Sequence, residues 1–279
     1  MRAPLLALAG LLLATPLAAQ RTAPRVREVR VQDVRGTLTV TGWDRDSVAL
    51  RGPAAGLALR RVPGAVHLER AAGGDASGDV ELFVPRQARI AVRGGGSVDA
   101  AGLDGEMEVT AARGRIRVEG GLRRVSVEAL EGNVEVVGPA LSVVVRTAGG
   151  SVVVRGVRGE LDVSTVSGAV AVGAARVTRA RLASVSGEVS FKGVVEPGGT
   201  LEAASYSGDV ELRLPPDLAA TFELRAPVGK LTSEFGGGVR FVTGTGGAWI
   251  VAGTQKGALA VRRQPGADVD LNAGDAGGI

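Results

Sequence analysis

The 279-residue sequence has no cysteine and a single histidine, His67. The first absence excludes a disulfide framework, a thiolate metal site, a cysteine nucleophile and a lipid-bearing N-terminal cysteine. The second leaves no His-rich metal site and only one base for a Ser–His arrangement. Aromatic residues make up 3% of the chain, and Lys192, Lys230 and Lys256 are the only lysines. The net charge is +4, from 33 basic and 29 acidic residues. The basic residues never cluster beyond the doublets Arg60-Arg61, Arg123-Arg124 and Arg262-Arg263. A nucleic-acid groove asks for a broader basic stripe with interleaved stacking aromatics, so nucleic acid is not an expected partner.

Apolar residues are plentiful at 45%, so disorder is excluded. Glycine numbers 43, about twice the usual share of ~7%. Proline numbers only 12 and no Gly-X-Y period occurs, which excludes collagen.

The first residues carry an address. Met1-Arg2 is followed by an apolar run from Leu5 to Ala14 and the small residues Thr15-Pro16-Leu17-Ala18-Ala19. This is the anatomy of a Sec-type signal peptide, residues 1–19, with cleavage after Ala19. The apolar run is too short for a ~20-residue membrane span, and no longer one occurs elsewhere. Export to the periplasm, the medium or the cell surface is expected, with no transmembrane span in the mature chain.

A repeat organises the rest of the chain. Glycine recurs at 78, 96, 114, 132, 150 and 168, a spacing of 18, and continues at 187, 208 and 229. Those from 78 to 208 begin the phrase Gly-x-apolar-x-apolar, as in Gly132-Asn133-Val134-Glu135-Val136, and Gly229 begins a shorter version of it. A second phrase lies halfway between, as in Gly159-Glu160-Leu161-Asp162-Val163. The unit is therefore about nine residues, paired into coils of eighteen. Strict alternation means strands with one buried face, and short strands bury it by stacking identical coils. The expected fold is all-β, a parallel β-solenoid (β-helix) of roughly eight to ten coils, ~40–50 Å long. Glycine at each corner is expected to supply positive φ.

Inward positions come directly from the alternation. One face takes Val80/Leu82, Val98, Ile116/Val118, Val134/Val136, Val152/Val154, Val170/Val172, Val189/Phe191 and Val210/Leu212. The other takes Met107/Val109, Val125/Val127, Val143/Val145, Leu161/Val163 and Leu182. Outward, Arg115 and Arg117 should face Asp99 and Glu135 on neighbouring coils, pairs that set register. Expected boundaries are a linker at 20–28, N-terminal cap strands at 29–75, solenoid repeats at 76–262 and a disordered tail at 263–279.

Three groups of segments occur in order: Gly36-Thr-Leu-Thr-Val-Thr-Gly-Trp43-Asp-Arg-Asp-Ser-Val48, Val84-Pro85-Arg86, and repeated Ser/Thr-x-Ser-Gly-x-Val-x-Val phrases closed by Thr254-Gln-Lys-Gly257. Across residues 29–262 the chain resembles the bacterial "putative adhesin" domain-of-unknown-function family of exported β-helix repeat proteins. The resemblance implies an envelope or surface β-solenoid with an adhesive or interaction role, and no catalytic residues. No sorting motif, lipobox or outer-membrane barrel strands are recognisable.

Candidate sites are of three kinds. Thr147, Thr165, Ser184 and Ser205 form a hydroxyl ladder three residues before the corner glycines. Such hydroxyls serve turn backbones, or alternatively contact a glycan. Val144, Val153, Ala169 and Ala171 make outward slots apolar where other coils carry charge, and an exposed apolar patch marks a partner site, self-association included. Asp209 and Glu211 lie i, i+2 on one face, within the ~5–9.5 Å that glycoside hydrolysis requires of paired carboxylates. Gly73-Gly74-Asp75 and Gly94-Gly95-Gly96-Ser97-Val98-Asp99 echo calcium-binding repeats, but other turns lack the Asp, so neither metal nor cofactor is expected. The resulting reading is a non-enzymatic binding or scaffold module of the cell envelope, its partner an envelope protein or glycan. A polysaccharide-active hydrolase or lyase using Asp209 and Glu211 is the alternative.

Overall fold

The computed structural model describes residues 26–52, 56–71 and 78–264. The leader, most of the linker, the Gly73-Gly74-Asp75 echo and the tail beyond Gln264 lie outside the described residues. The described chain is all strand and turn, with no helix.

The N-terminal strands are β1 (Glu28–Val34), β2 (Thr37–Trp43), β3 (Ala49–Arg51), β4 (Leu57–Val62), β5 (Ala65–Arg70) and β6 (Val80–Pro85). The regular middle comprises β7 (Arg89–Gly94), β8 (Ser97–Ala101), β9 (Glu106–Arg113), β10 (Ile116–Glu119), β11 (Arg124–Glu131), β12 (Val134–Val137), β13 (Ser142–Gly149), β14 (Val152–Arg155) and β15 (Arg158–Thr165). Two long strands come next, β16 (Val170–Ser184) and β17 (Val189–Ser205). The chain ends with β18 (Val210–Leu214), β19 (Ala220–Arg225), β20 (Leu231–Ser233), β21 (Arg240–Thr243), β22 (Ala248–Thr254) and β23 (Leu259–Arg263).

The strands stack in two ladders. Ladder A runs β3-β6-β2-β8-β10-β12-β14-β16-β17-β18-β23-β20. Ladder B runs β4-β5-β1-β7-β9-β11-β13-β15-β16-β17-β22-β19-β21. Strands β16 and β17 contribute their first halves to A and their second halves to B, joining the ladders into one sheet. Pairing is parallel except where β3, β4 and β21 cover ends. Ile116 lies opposite Val98 and Val134, eighteen residues either way. The offset grows to nineteen at Val170–Val189 and twenty-one at Val189–Val210.

The inward residues of both ladders form one core. Every inward position expected from the alternation is buried, from Val80 to Leu212 on A and from Met107 to Leu182 on B. The bore is narrow and Val-rich, and rings appear mainly at its ends. At one end Phe222 stacks on Phe241 (4.8 Å) and tilts against Phe235 (5.3 Å). At the other, Trp43 meets Phe83 outside the bore at 5.5 Å.

Two findings differ from the linear repeat. First, the stacking order is not chain order at either end. Strands β1 and β2 insert between β5–β6 and β7–β8, while β22 and β23 insert between β17–β18 and β19–β20. Each terminal coil is thus paired on both sides, which opposes fraying. Capping falls to the short or antiparallel strands β3, β4, β20 and β21, which blunt the exposed edges. Second, the corner glycines answer to crowding more than to φ. In spatial order they are Gly78, Gly36, Gly96, Gly114, Gly132, Gly150, Gly168, Gly187, Gly208, Gly257 and Gly229. From Gly36 onward, a Cβ on each would fall within 3.0 Å of the preceding glycine's carbonyl oxygen. Gly36, Gly114, Gly132 and Gly150 do have positive φ, but Gly96, Gly168, Gly187 and Gly208 do not. What the row shares from Gly36 onward is the missing room.

Candidate functional site

The corner where ladder B turns towards ladder A carries the most distinctive surface. Its recurring phrase is hydroxyl–apolar–Ser–Gly, as in Thr165-Val166-Ser167-Gly168, Ser184-Val185-Ser186-Gly187 and Ser205-Tyr206-Ser207-Gly208. The first residue continues the inward alternation and is buried. Thr147, Thr165, Ser184 and Ser205 are all more than nine-tenths buried, as is Thr254. Ser205 Oγ donates to the Gly187 carbonyl (2.9 Å) and accepts from the Gly208 N–H (3.0 Å). Ser184 and Thr254 repeat this pattern one coil to either side. Thr147 Oγ1 donates to the Gly149 carbonyl at 2.7 Å. Four of these hydroxyls satisfy the corner backbone, while Thr165 Oγ1 is buried without a hydrogen-bond partner among the described residues; burial turns all five away from an external ligand.

The second residue of the phrase points out. Leu130 is 61% exposed, Val166 52%, Val185 48% and Tyr206 53%. With exposed Ala112 and Ala148 they make an apolar stripe along the corner, one residue per coil. Beside it, Ser167, Ser186 and Ser207 donate to the carbonyls of Ala148, Val166 and Val185.

Towards the N-terminal end this stripe becomes the floor of an open groove of about 980 Å³. Arg35, Arg70, Arg93 and Arg146 stand along it with Asp33 and Glu128. Among the described residues Arg35, Arg70 and Arg93 have no carboxylate partner, while Arg146 reaches Glu128 and Asp162 only at 3.9 and 4.0 Å. A register shift between Gln32 and Val34 bulges Asp33 out of β1, at φ 59°, onto the groove wall. The rim is net cationic over an apolar floor, the combination that receives an anionic, partly apolar ligand.

The other candidates are not brought together. Val144 sits on ladder B between Ser126 and Asp162, whereas Val153 and Ala171 are neighbours on ladder A. Ala169 precedes β16 at the start of ladder A. The four residues expected to form one apolar patch therefore divide between two faces, because successive strands of one coil belong to different ladders. Asp209 and Glu211 do share the outward face of ladder A. The Asp209 carboxylate accepts from the Ala258 N–H (2.7 Å), and Glu211 pairs with Arg213 (3.2 Å) and Arg262 (3.3 Å). Both are thus engaged in holding β18 to its neighbours. Arg117 lies between Asp99 and Glu135 in register and pairs with Glu135 at 3.6 Å. His67 faces Arg30 and Arg60 across its two strand pairings, with Glu69 at 3.7 Å.

The exposed stripe is what sequence reasoning missed. Its signal was present, since Val166, Val185 and Tyr206 are apolar yet out of step with the inward alternation. The groove had no signal, because Arg35 and Arg70 join it only through the insertion of β1 beside β5 and β7.

A family model described as Toastrack DUF4097 matches residues 76–234. The chain belongs to this family. The Toastrack match spans the regular middle of the stack and continues through β20. Two solved bacterial structures are also similar to the chain. One is a "putative adhesin" from Bacteroides fragilis, 13% identical, with a TM-score of 0.46, covering 87% of this chain and 94% of that one. The other is a "putative cell adhesion protein" from Clostridium sporogenes, 9% identical, with a TM-score of 0.24 and the same coverages. No curated protein matches the chain. Among the described residues no helix is long and apolar enough to cross a membrane.

Proposed function

We propose that this Toastrack protein is an exported, non-enzymatic, adhesin-like binding module that uses the corner groove as its contact surface. Residues 1–19 direct export, and the coils, each two nine-residue strand-turn units, hold the groove rigid. The observation that carries this reading is the groove itself: Arg35, Arg70 and Arg93, which have no carboxylate partner among the described residues, stand with Arg146 over exposed methyl groups. Leaving apolar surface and like charges together without a ligand is unfavourable, and a ligand bearing anions and methyls relieves both. The engaged state of Asp209 and Glu211 favours a structural role for them over hydrolase or lyase chemistry.

The test is binding of the chain from residue 20 onward to fluorescent poly-glutamate, polygalacturonate and a neutral glucan, with product analysis on each. Anionic probes should bind, weaken with salt, and lose affinity about tenfold or more in Arg35→Glu/Arg93→Glu. Equal binding by that variant, or turnover lost in Asp209→Asn, would overturn the reading.

A further inference from the structure

We infer that the groove takes the acidic stretch beyond Gln264 of a second copy of this chain, so that copies link tail to groove. The inference rests on the groove being the contact surface and goes further by naming its occupant. The groove makes three demands. Its arginines call for anions, its floor calls for small apolar side chains, and its length calls for an extended segment. It runs from the end of β5, at Arg70, to Val166 after β15, about six coil steps or ~29 Å.

Residues 265–279 meet all three. They contain Asp268, Asp270 and Asp275 and neither Lys nor Arg. In Asp268-Val269-Asp270-Leu271 acid and apolar side chains alternate. An extended strand of period two then presents carboxylates on one side and methyls on the other. A glycan is a poorer match. Among the described residues no aromatic ring lines the groove for a sugar to stack on, and the neighbouring serine hydroxyls already donate to backbone carbonyls. An acyl chain is poorer too, because an open groove leaves it in water.

At the Arg35 and Arg93 end of the groove, reach requires the second copy. The Gln264 amide is held by the carbonyls of Gly193 (3.0 Å) and Arg213 (2.7 Å), at the far end of ladder A. From that coil to the coil of Arg93 is about seven steps, ~34 Å along the axis. Asp270 lies six residues past Gln264 and extends at most ~22 Å from it. Asp268 and Asp270 therefore fall short of Arg35 and Arg93 of their own molecule, whereas those of a neighbour are unrestricted; Arg146 and Val166 lie only three to four steps, ~14–19 Å, from Gln264, so the chain's own tail is a rival at that end of the groove. Another rival contact is local: Lys192, Arg213 and Arg262 lie side by side on adjacent strands near the exit point and could hold the chain's own acids.

The test is sedimentation velocity on the chain from residue 20 onward over rising concentration. Arg35→Glu/Arg93→Glu and Asp268→Lys/Asp270→Lys each alter exposed or terminal charges and leave the core intact. Each should raise the concentration of half-association about tenfold or more, and combining all four should restore it, since the charges are then exchanged. A photo-crosslinker at Leu271 should label the groove of a second molecule. Labelling of Lys192, Arg213 or Arg146 within one molecule, or association unchanged in both double variants, would overturn the inference. If the chain stays monomeric but poly-glutamate binds and Arg35→Glu/Arg93→Glu abolishes it, only the named occupant fails. If poly-glutamate does not bind either, the groove reading fails with it.

Discussion

Gly168→Ala separates the two reasons a corner could require glycine. Gly168 has no positive φ, so a conformational requirement predicts that alanine is tolerated there. Crowding predicts the opposite, because an added Cβ would run into the carbonyl group of Gly150 and lie 3.1 Å from Thr165 Oγ1. The obstructing atoms are mostly backbone, held from both sides by neighbouring strands, so relief means spreading two coils. Overpacking of this kind costs about 1–3 kcal/mol. At ~2–4 °C per kcal/mol for a domain of this size, the midpoint should fall by roughly 2–12 °C. Two controls bracket the effect. Gly64 has φ 76° and nothing within 4 Å of an added Cβ, so alanine there meets only the left-handed penalty of ~1–2 kcal/mol. Gly237 is open and without positive φ, so alanine should be neutral or slightly stabilising. Thermal and urea unfolding followed by far-UV circular dichroism read all three. A neutral Gly168→Ala alongside a destabilised Gly64→Ala would refute crowding as the reason for the row.

Val154→Asp places an unpaired carboxylate at a fully buried site and should cost several kcal/mol, enough to lose cooperative unfolding in the same assay. Val153→Glu, one residue earlier but half-exposed, should stay folded; its loss is under about 1 kcal/mol and comes from the facing Glu135. Ser205→Ala removes both a donor to Gly187 and an acceptor for Gly208, so it should cost about 1–3 kcal/mol and speed amide exchange at Gly208. The ion pairs are mostly exposed, so 1 M NaCl should change unfolding stability by no more than about 1 kcal/mol while sharply weakening anion binding at the groove.

The regular middle was readable because its rule is local. Along Ile116, Val118, Val134 and Val136 each side chain's direction is set by its neighbour two residues away, and the 18-residue recurrence makes the partner the next coil. The hydroxyl ladder was readable for the same reason, although its two roles were not distinguishable until burial showed Ser184 and Ser205 bound to corner backbone. The apolar patch failed at a step the repeat does not encode. Val144 and Val153 are equally outward, yet the corner between them puts them on different ladders. The groove failed one step later, since it depends on which coil lies beside which.

By itself, then, the amino-acid order determined that the chain is all-β, which side chains face the bore, and that glycine must recur at every coil. Period-two alternation and a crowded corner are properties of a short segment and its repeat. Only the tertiary structure decided the stacking order at the ends. Any Val-rich strand of five residues can pair with any other in parallel, so local pattern does not say that β1–β2 lie between β5–β6 and β7–β8. That choice rests on long-range packing, and it is what carries Arg35, Arg70 and Arg93 to one end of a single apolar groove.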